Sequence, residues 1–216
     1  SNTARQGDGG CIRGHSNVSI TLHDSYIISN EAGNNGGCMS FGNNTDVSIS
    51  STILDHNIAN QSGGILYLES YSHMDVLKNT TITNNKALLG DGGGFYNLAV
   101  YNIEYAKIHD NSATQNGGFI YVDSMRKSKL RMIQSSFQNN KAHTKSGGVM
   151  MIHHLLHDGL YIDIENTQYL HNQAGMSGGI IDIGDSNIHL SVLNSTLKSN
   201  TARQGDGGCI RGHSNV

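Results

Sequence analysis

The sequence predicts an all-β chain wound as a parallel β-helix of about seven coils, each about 28 residues long. Three observations carry that expectation. Residues 1–18 (SNTARQGDGGCIRGHSNV) recur letter for letter as residues 199–216, a long period of 198. Seven shorter segments inside that period share one form: Ser/Thr-x-apolar-x-x-Asn-x-Ala, a short loop, then Gly-Gly. Between them stand short apolar or alternating runs of strand character, with no helical stretch.

Composition points the same way. Gly (27), Asn (24) and Ser (24) dominate, Pro and Trp are absent, and 14% of residues are charged, which leaves either disorder or a repeat fold of many short strands. A net charge of −3 is too small to drive disorder by self-repulsion and offers no basic footprint for nucleic acid. No apolar run approaches the ~20 residues that a membrane-spanning helix requires.

The seven segments begin at SYIISNEAGNNGG (25–37) and end at STLKSNTARQGDGG (195–208). Their Asn is invariant: Asn30, Asn57, Asn85, Asn111, Asn140, Asn172 and Asn200. So is the Ala two places later, from Ala32 to Ala202, and three places before each Asn stands Ile27, Leu54, Ile82, Ile108, Phe137, Tyr169 or Leu197. The first position is Ser or Thr except at Ala106. The second glycines are spaced by 27, 27, 29, 25, 30, 31 and 29 residues, which together make up the 198-residue period. Variable spacing around fixed motifs suits a solenoid, where outward loops absorb insertions.

Each repeat holds three strand-like pieces. An apolar run follows Gly-Gly (ILYL 65–68, FIYV 119–122), an alternating run comes next (DVSIS 46–50, LYIDI 160–164), and a short stretch leads into the Asn motif. Coils stacked ~4.8 Å apart align equivalent residues in rows. An Asn row then hydrogen-bonds up and down the axis as a ladder, and Asn tolerates the left-handed backbone of a sharp corner. Ala fits inside that corner, and paired glycines allow positive φ or close backbone approach. The whole chain, 1–216, reads as one continuous β-helix in which 199–216 starts the next period, uncapped at both ends.

These residues resemble the repeats of the chlamydial polymorphic outer membrane proteins, whose signatures are Gly-Gly-Ala-aliphatic and Phe-x-x-Asn. FQNN (137–140) matches the second signature, and the other six segments replace Phe with Ile, Leu or Tyr. The Gly-Gly signature is looser, with Cys11, Cys38, Ile65, Gly94, Phe119, Val149 or Ile180 in place of Ala. The resemblance spans all seven repeats and implies a right-handed helix of the pectin-lyase-like class. It implies no single function, since such repeats occur in adhesins and other surface proteins.

Catalytic chemistry has little support in the residues. Asn44-Thr45-Asp46 is a fragment of a polygalacturonase-like pattern, but its Asp-Asp and Arg-Ile-Lys companions are missing, and the acidic residues a lyase would gather for calcium are scattered. Asp91 and Asp206 in GDGG read as turn residues. His153, His154 and His157 beside Asp158 and Gly159 suggest a metal site, against which a solvated turn is the better reading; no metal or other cofactor is expected. A lone Thr81/Thr83 pair makes no ice-binding ladder.

Cys11 and Cys38 share a motif position one coil apart, within reach of a disulfide or of two stacked thiols, and Cys209 repeats Cys11 in the next period. Candidate N-glycosylation sites are Asn17, Asn43, Asn60, Asn79 and Asn194, all at expected corners or loops, in a number that composition alone would give. Tyr67, Tyr96 and Tyr121 hold one motif position in three coils that are not all adjacent. The expectation is a structural protein: an extracellular or cell-surface fibril built from tandem periods, whose partner is the continuation of the same array and whose surface carries glycans. The alternatives are an adhesin stalk that contacts glycans or a partner cell, and a polysaccharide-active lyase or hydrolase.

Overall fold

A computed structural model describes residues 1–69, 71–76, 78–96, 99–125, 129–155, 160–184 and 188–212. Every regular element among them is a strand, and all strand pairs are parallel. The strands form four sheets of eight, eight, seven and seven, here named A to D in the order each coil visits them. One coil shows the plan: Glu31–Ala32 in sheet A, Met39–Phe41 in B, Asp46–Ser50 in C and Ile53–Asp55 in D. The chain is thus a β-solenoid of about seven turns with a period near 28 residues.

The sequence suggested three strands per coil and the structure has four. The fourth is the x-Ala pair after each ladder Asn, as in Ile58–Ala59 and Lys86–Ala87, which pair in register with each other. Two residues are too few to show an alternating pattern, and their parallel pairing arises only when coils stack.

The core is a set of rows running along the axis. In sheet D, Ile27, Leu54, Ile82, Ile108, Phe137, Tyr169 and Leu197 lie over one another. In sheet C the row is Leu22, Ile49, Val76, Ile103, Met132, Ile164 and Val192. The middle members of both rows are almost completely buried. Each such side chain contributes about 1.5–3 kcal/mol relative to an exposed one. Phe137 and Tyr169 stack at 4.8 Å with an interplanar angle of 2°. At Gly94 the missing side chain makes room for the Phe119 ring, since a Cβ there would lie 2.6 Å from Phe119 Cε2.

The corners differ from the sequence expectation. Left-handed backbone belongs to the residue before the ladder Asn: Ser29, His56, Asn84, Asp110, Asn139, His171 and Ser199, with φ between 53° and 59°. A second corner, between sheets C and D, places Asp24, Ser51, Asn79, Tyr105, Gln134, Asn166 and Asn194 at φ of 45° to 60°. The physical reason is division of labour. The outward-facing residue turns the chain, which leaves the Asn after it free to point its amide along the axis.

Candidate functional site

The features that repeat along the axis are polar ladders, and they hold coil to coil. Each ladder Asn donates its side-chain Nδ2–H to the Oδ1 of the Asn one coil later, from Asn30 to Asn200, at 2.8–3.0 Å. Its backbone N–H goes to the same oxygen. Nδ2–H also reaches a carbonyl in the preceding coil, as Asn111 does to Ile82 at 3.1 Å. Asn2 adds a rung at the start, donating to Asn30 Oδ1 at 3.0 Å. Asn2 was legible as the copy of Asn200 one long period earlier.

A second ladder escaped the sequence reading. It runs through the residue before each Gly-Gly and points the other way, so that backbone N–H groups bond to side-chain oxygens of the preceding coil. Asn35 N–H bonds to Asp8 Oδ1, Ser62 to Asn35 Oδ1, Asp91 to Ser62 Oγ, Asn116 to Asp91 Oδ1 and Ser146 to Asn116 Oδ1. Asp91 is therefore a rung as well as a turn residue. The available signal was that this position is Asp, Asn or Ser in every repeat. A third row uses the Ser/Thr that opens each segment: the N–H groups of Ala106, Ser135 and Thr167 bond to the hydroxyl oxygens of Ser135, Thr167 and Ser195.

On the outer face of sheet B, Tyr67, Tyr96 and Tyr121 occupy consecutive coils, in register. This corrects the expectation that they are not all adjacent; insertions in the loops hid their succession. Their rings stack at 4.8 and 5.1 Å, and His153 continues the column at 6.4 Å from Tyr121. Burial is the main cause that raises all three phenols, Tyr96 to about 12; at Tyr67 carboxylates led by Glu69 add to it, at Tyr96 the Tyr67 phenol and then Asp123 and Asp91, and at Tyr121 Asp123, Asp91 and Tyr96. An unfolded Tyr loses its proton near pH 10. The folded values lie higher, so their contribution to stability is complete below pH 10 and is lost as pH rises toward 12. Melting curves between pH 8 and 12 should show the midpoint falling from about pH 10, more steeply than in the Tyr67→Phe/Tyr96→Phe/Tyr121→Phe chain. Identical profiles for the two chains would refute this.

No family model matches the chain, and no curated protein and no solved structure matches it.

Other residues singled out in the sequence are placed as follows. The three cysteines carry free thiols, and those of Cys11 and Cys38 hydrogen-bond to each other, with Cys11 exposed and Cys38 buried. Burial, then the contact with Cys11, pushes the Cys38 thiol up. His153 lies 3.5 Å from Asp123, whereas His157, Asp158 and Gly159 fall outside the described residues. Among the described residues no three His, Cys, Asp or Glu side chains converge on a common point that could hold a metal ion. Asp46 sits beside His73 at 3.5 Å on the outer face of sheet C, as one member of a surface polar contact. Asn17, Asn43, Asn60, Asn79 and Asn194 all lie outside strands, and all but the half-buried Asn43 are exposed.

The two terminal coils differ from the rest in one respect. Val192 belongs to the core row of Ile164 (1% exposed), yet is 43% exposed because, among the described residues, its strand is the edge of sheet C. Leu190 (42%) is in the same position, and at the opposite end Ile12 (42%) aligns with buried Met39. Each end of the described structure thus presents core rows and the edges of all four sheets.

Proposed function

We propose that the chain is a segment of a structural rod, an extracellular or cell-surface β-helical fibril in which 198-residue periods follow one another along one axis. The observation that carries this reading is the identity of residues 1–18 with residues 199–216, 198 positions apart, combined with the solenoid. Seven coils make up one period, so the identity corresponds to a translation along the axis. The polar ladders support it, because a ladder gains a rung with each coil and has no natural length. Exposed sequons at corners are compatible with covalent glycans that project sideways without interrupting the strands.

At ~4.8 Å per coil, one period advances roughly 34 Å. Diffraction from aligned fibres, or a helical reconstruction of filaments from the native source, should show both the ~4.8 Å axial spacing and the ~34 Å repeat. Filaments with neither spacing would overturn the reading.

The tyrosine column favours a second reading, an adhesin stalk whose aromatic ridge contacts glycans or a partner cell. Replacing Tyr67, Tyr96 and Tyr121 with Ala should then abolish attachment to the glycan or cell bound by the unaltered chain. Unchanged attachment would exclude the column as the contact surface.

A further inference from the structure

We propose that the tyrosine column on sheet B is a site of oxidative cross-linking, where neighbouring rings of Tyr67, Tyr96 and Tyr121 join as dityrosine and tie consecutive coils covalently. This goes beyond the rod reading, and it depends neither on how periods follow one another nor on any glycan contact. All three residues lie in interior coils. Tyr67 pairs with Ser40 on one side and Tyr96 on the other, and Tyr121 with Tyr96 and Met151. Parallel register sets neighbouring strands ~4.8 Å apart. The ring centroids keep that spacing, at 4.8 and 5.1 Å with interplanar angles of 10° and 23°, so the side chains run outward together. The unpaired electron of a phenoxyl radical occupies orbitals perpendicular to the ring, with much of its density on the two carbons beside the C–O carbon. In near-parallel stacked rings those orbitals point at one another. Two radicals on adjacent rings therefore meet already oriented, without diffusion. Tyr161 is placed differently: it pairs with Lys129 on one side and stacks on His189 at 4.6 Å on the other, so a radical there meets no second phenol in its row.

Oxidation must also remove a proton, because tyrosine is a neutral phenol at pH 7. Asp123 is placed to take it. Tyr121 O–H donates to Asp123 Oδ1 at 3.4 Å, and His153 Nδ1 lies 3.5 Å from the same oxygen. Tyr67 and Tyr96 are half-buried, so an oxidant in solvent reaches them directly. Tyr121 is 7% exposed and is oxidised through the stack, by passing an electron to the ring beside it. Tyr96 is the shared partner, with one face on Tyr67 and the other on Tyr121.

The step balances with hydrogen peroxide as oxidant, delivered by a haem peroxidase. Two phenols each give up one electron and one proton, and the peroxide takes up both to become two water molecules. The two radicals then pair their electrons in one C–C bond between Cε atoms of adjacent rings. Each bonded carbon releases its hydrogen as a proton while a proton returns to each phenol oxygen, which restores both phenols. As aromaticity returns, the rings turn about the new bond, and their place on the outer face of the sheet gives them room. The bond closes a loop of 29 residues between Tyr67 and Tyr96, or of 25 between Tyr96 and Tyr121, and so restricts the unfolded chain as a disulfide does.

The 216-residue chain, treated with hydrogen peroxide and a haem peroxidase at high dilution to suppress coupling between chains, should show dityrosine fluorescence in the monomer fraction. Trypsin cuts after Lys78, Lys86, Lys107 and Arg126, which places Tyr67, Tyr96 and Tyr121 in three separate peptides. Mass spectrometry should find the Tyr96 peptide joined to that of Tyr67 or Tyr121, with fragmentation locating the bond at these residues. Tyr96→Phe keeps the stack but removes the shared phenol, leaving Tyr67 and Tyr121 two coils (~9.6 Å) apart. Its circular dichroism should be unchanged, while dityrosine within the chain should fall at least ~10-fold, since the oriented neighbour is lost. Tyr161→Phe should leave the yield as it is. A monomer fraction free of dityrosine would overturn the inference. So would a yield indifferent to Tyr96→Phe, or bonds within the chain that map to other tyrosines.

Discussion

Gly118→Ala is expected to destabilise the fold by at least about 4 kcal/mol, enough to lower the melting midpoint by roughly 8–16 °C. The reason is coil spacing. A Cβ at Gly118 would stand 2.1 Å from the carbonyl oxygen of Gly148 in the next coil, and 2.4 and 2.5 Å from the backbone N and C of Lys141. All three are main-chain atoms, and Lys141 N–H is held by Asn111 O at 2.9 Å, so none can yield as a flexible side chain would. Relief requires prying the coils apart, which would break the ladder bonds on either side. The molecule supplies its own control at Gly208, the same motif position in the last coil. There the nearest atom to an added Cβ is Asn200 O at 3.8 Å, because no described strand stacks on that side. Gly208→Ala should therefore melt close to the unaltered chain. Thermal denaturation followed by circular dichroism separates the two outcomes. Equal melting points for both variants would mean that close coil approach does not explain the paired glycines.

This contrast also shows why some features were legible in the sequence and others were not. A solenoid imposes the same physical demand on every coil. Where one residue type alone meets that demand, the sequence repeats it. Gly-Gly is such a case, and so is the ladder Asn, which must accept at Oδ1 and donate at Nδ2 at once. The row before Gly-Gly needs only an acceptor, so Asp8, Asn35, Ser62 and Asn116 all serve, and no invariant letter marks the ladder. The left-handed residue before each ladder Asn is Ser, His, Asn or Asp, since its side chain faces outward and only its φ is required. The fourth strand spans two residues, below the length at which alternation can be read. The tyrosine column is a matter of counting coils: Tyr67, Tyr96 and Tyr121 follow one another directly, but repeats of 29 and 25 residues disguise it.

Asn111→Ala should cost about 3 kcal/mol, a fall of roughly 6–12 °C in the midpoint, although it creates no clash. Asn111 lies in the fully buried middle of the ladder. Its Oδ1 accepts from the backbone N–H of Asn85 at 3.1 Å and from Asn85 Nδ2 at 2.9 Å. Its Nδ2 donates to Ile82 O, His109 O and Asn140 Oδ1. Truncation leaves the Asn85 N–H buried without an acceptor, while Asn85 Nδ2 keeps Leu54 O and Thr83 O. The cost is thus dominated by one orphaned backbone donor and by carbonyls stripped of a partner, each worth about 1–3 kcal/mol. Asn200→Ala, at the half-buried end of the ladder, should cost less, because water can reach the Asn172 groups it abandons. Asn111→Asp distinguishes hydrogen bonding from packing, since it keeps the shape and changes only the donors. Its second oxygen would face three acceptors, so the neutral acid is favoured in the fold and its pKa rises above the ~3.9 of an unfolded Asp. Stability of that variant should be full below about pH 4 and decline as pH rises. If Asn111→Asp melts at neutral pH like the unaltered chain, the ladder is a packing motif and its hydrogen bonds contribute little.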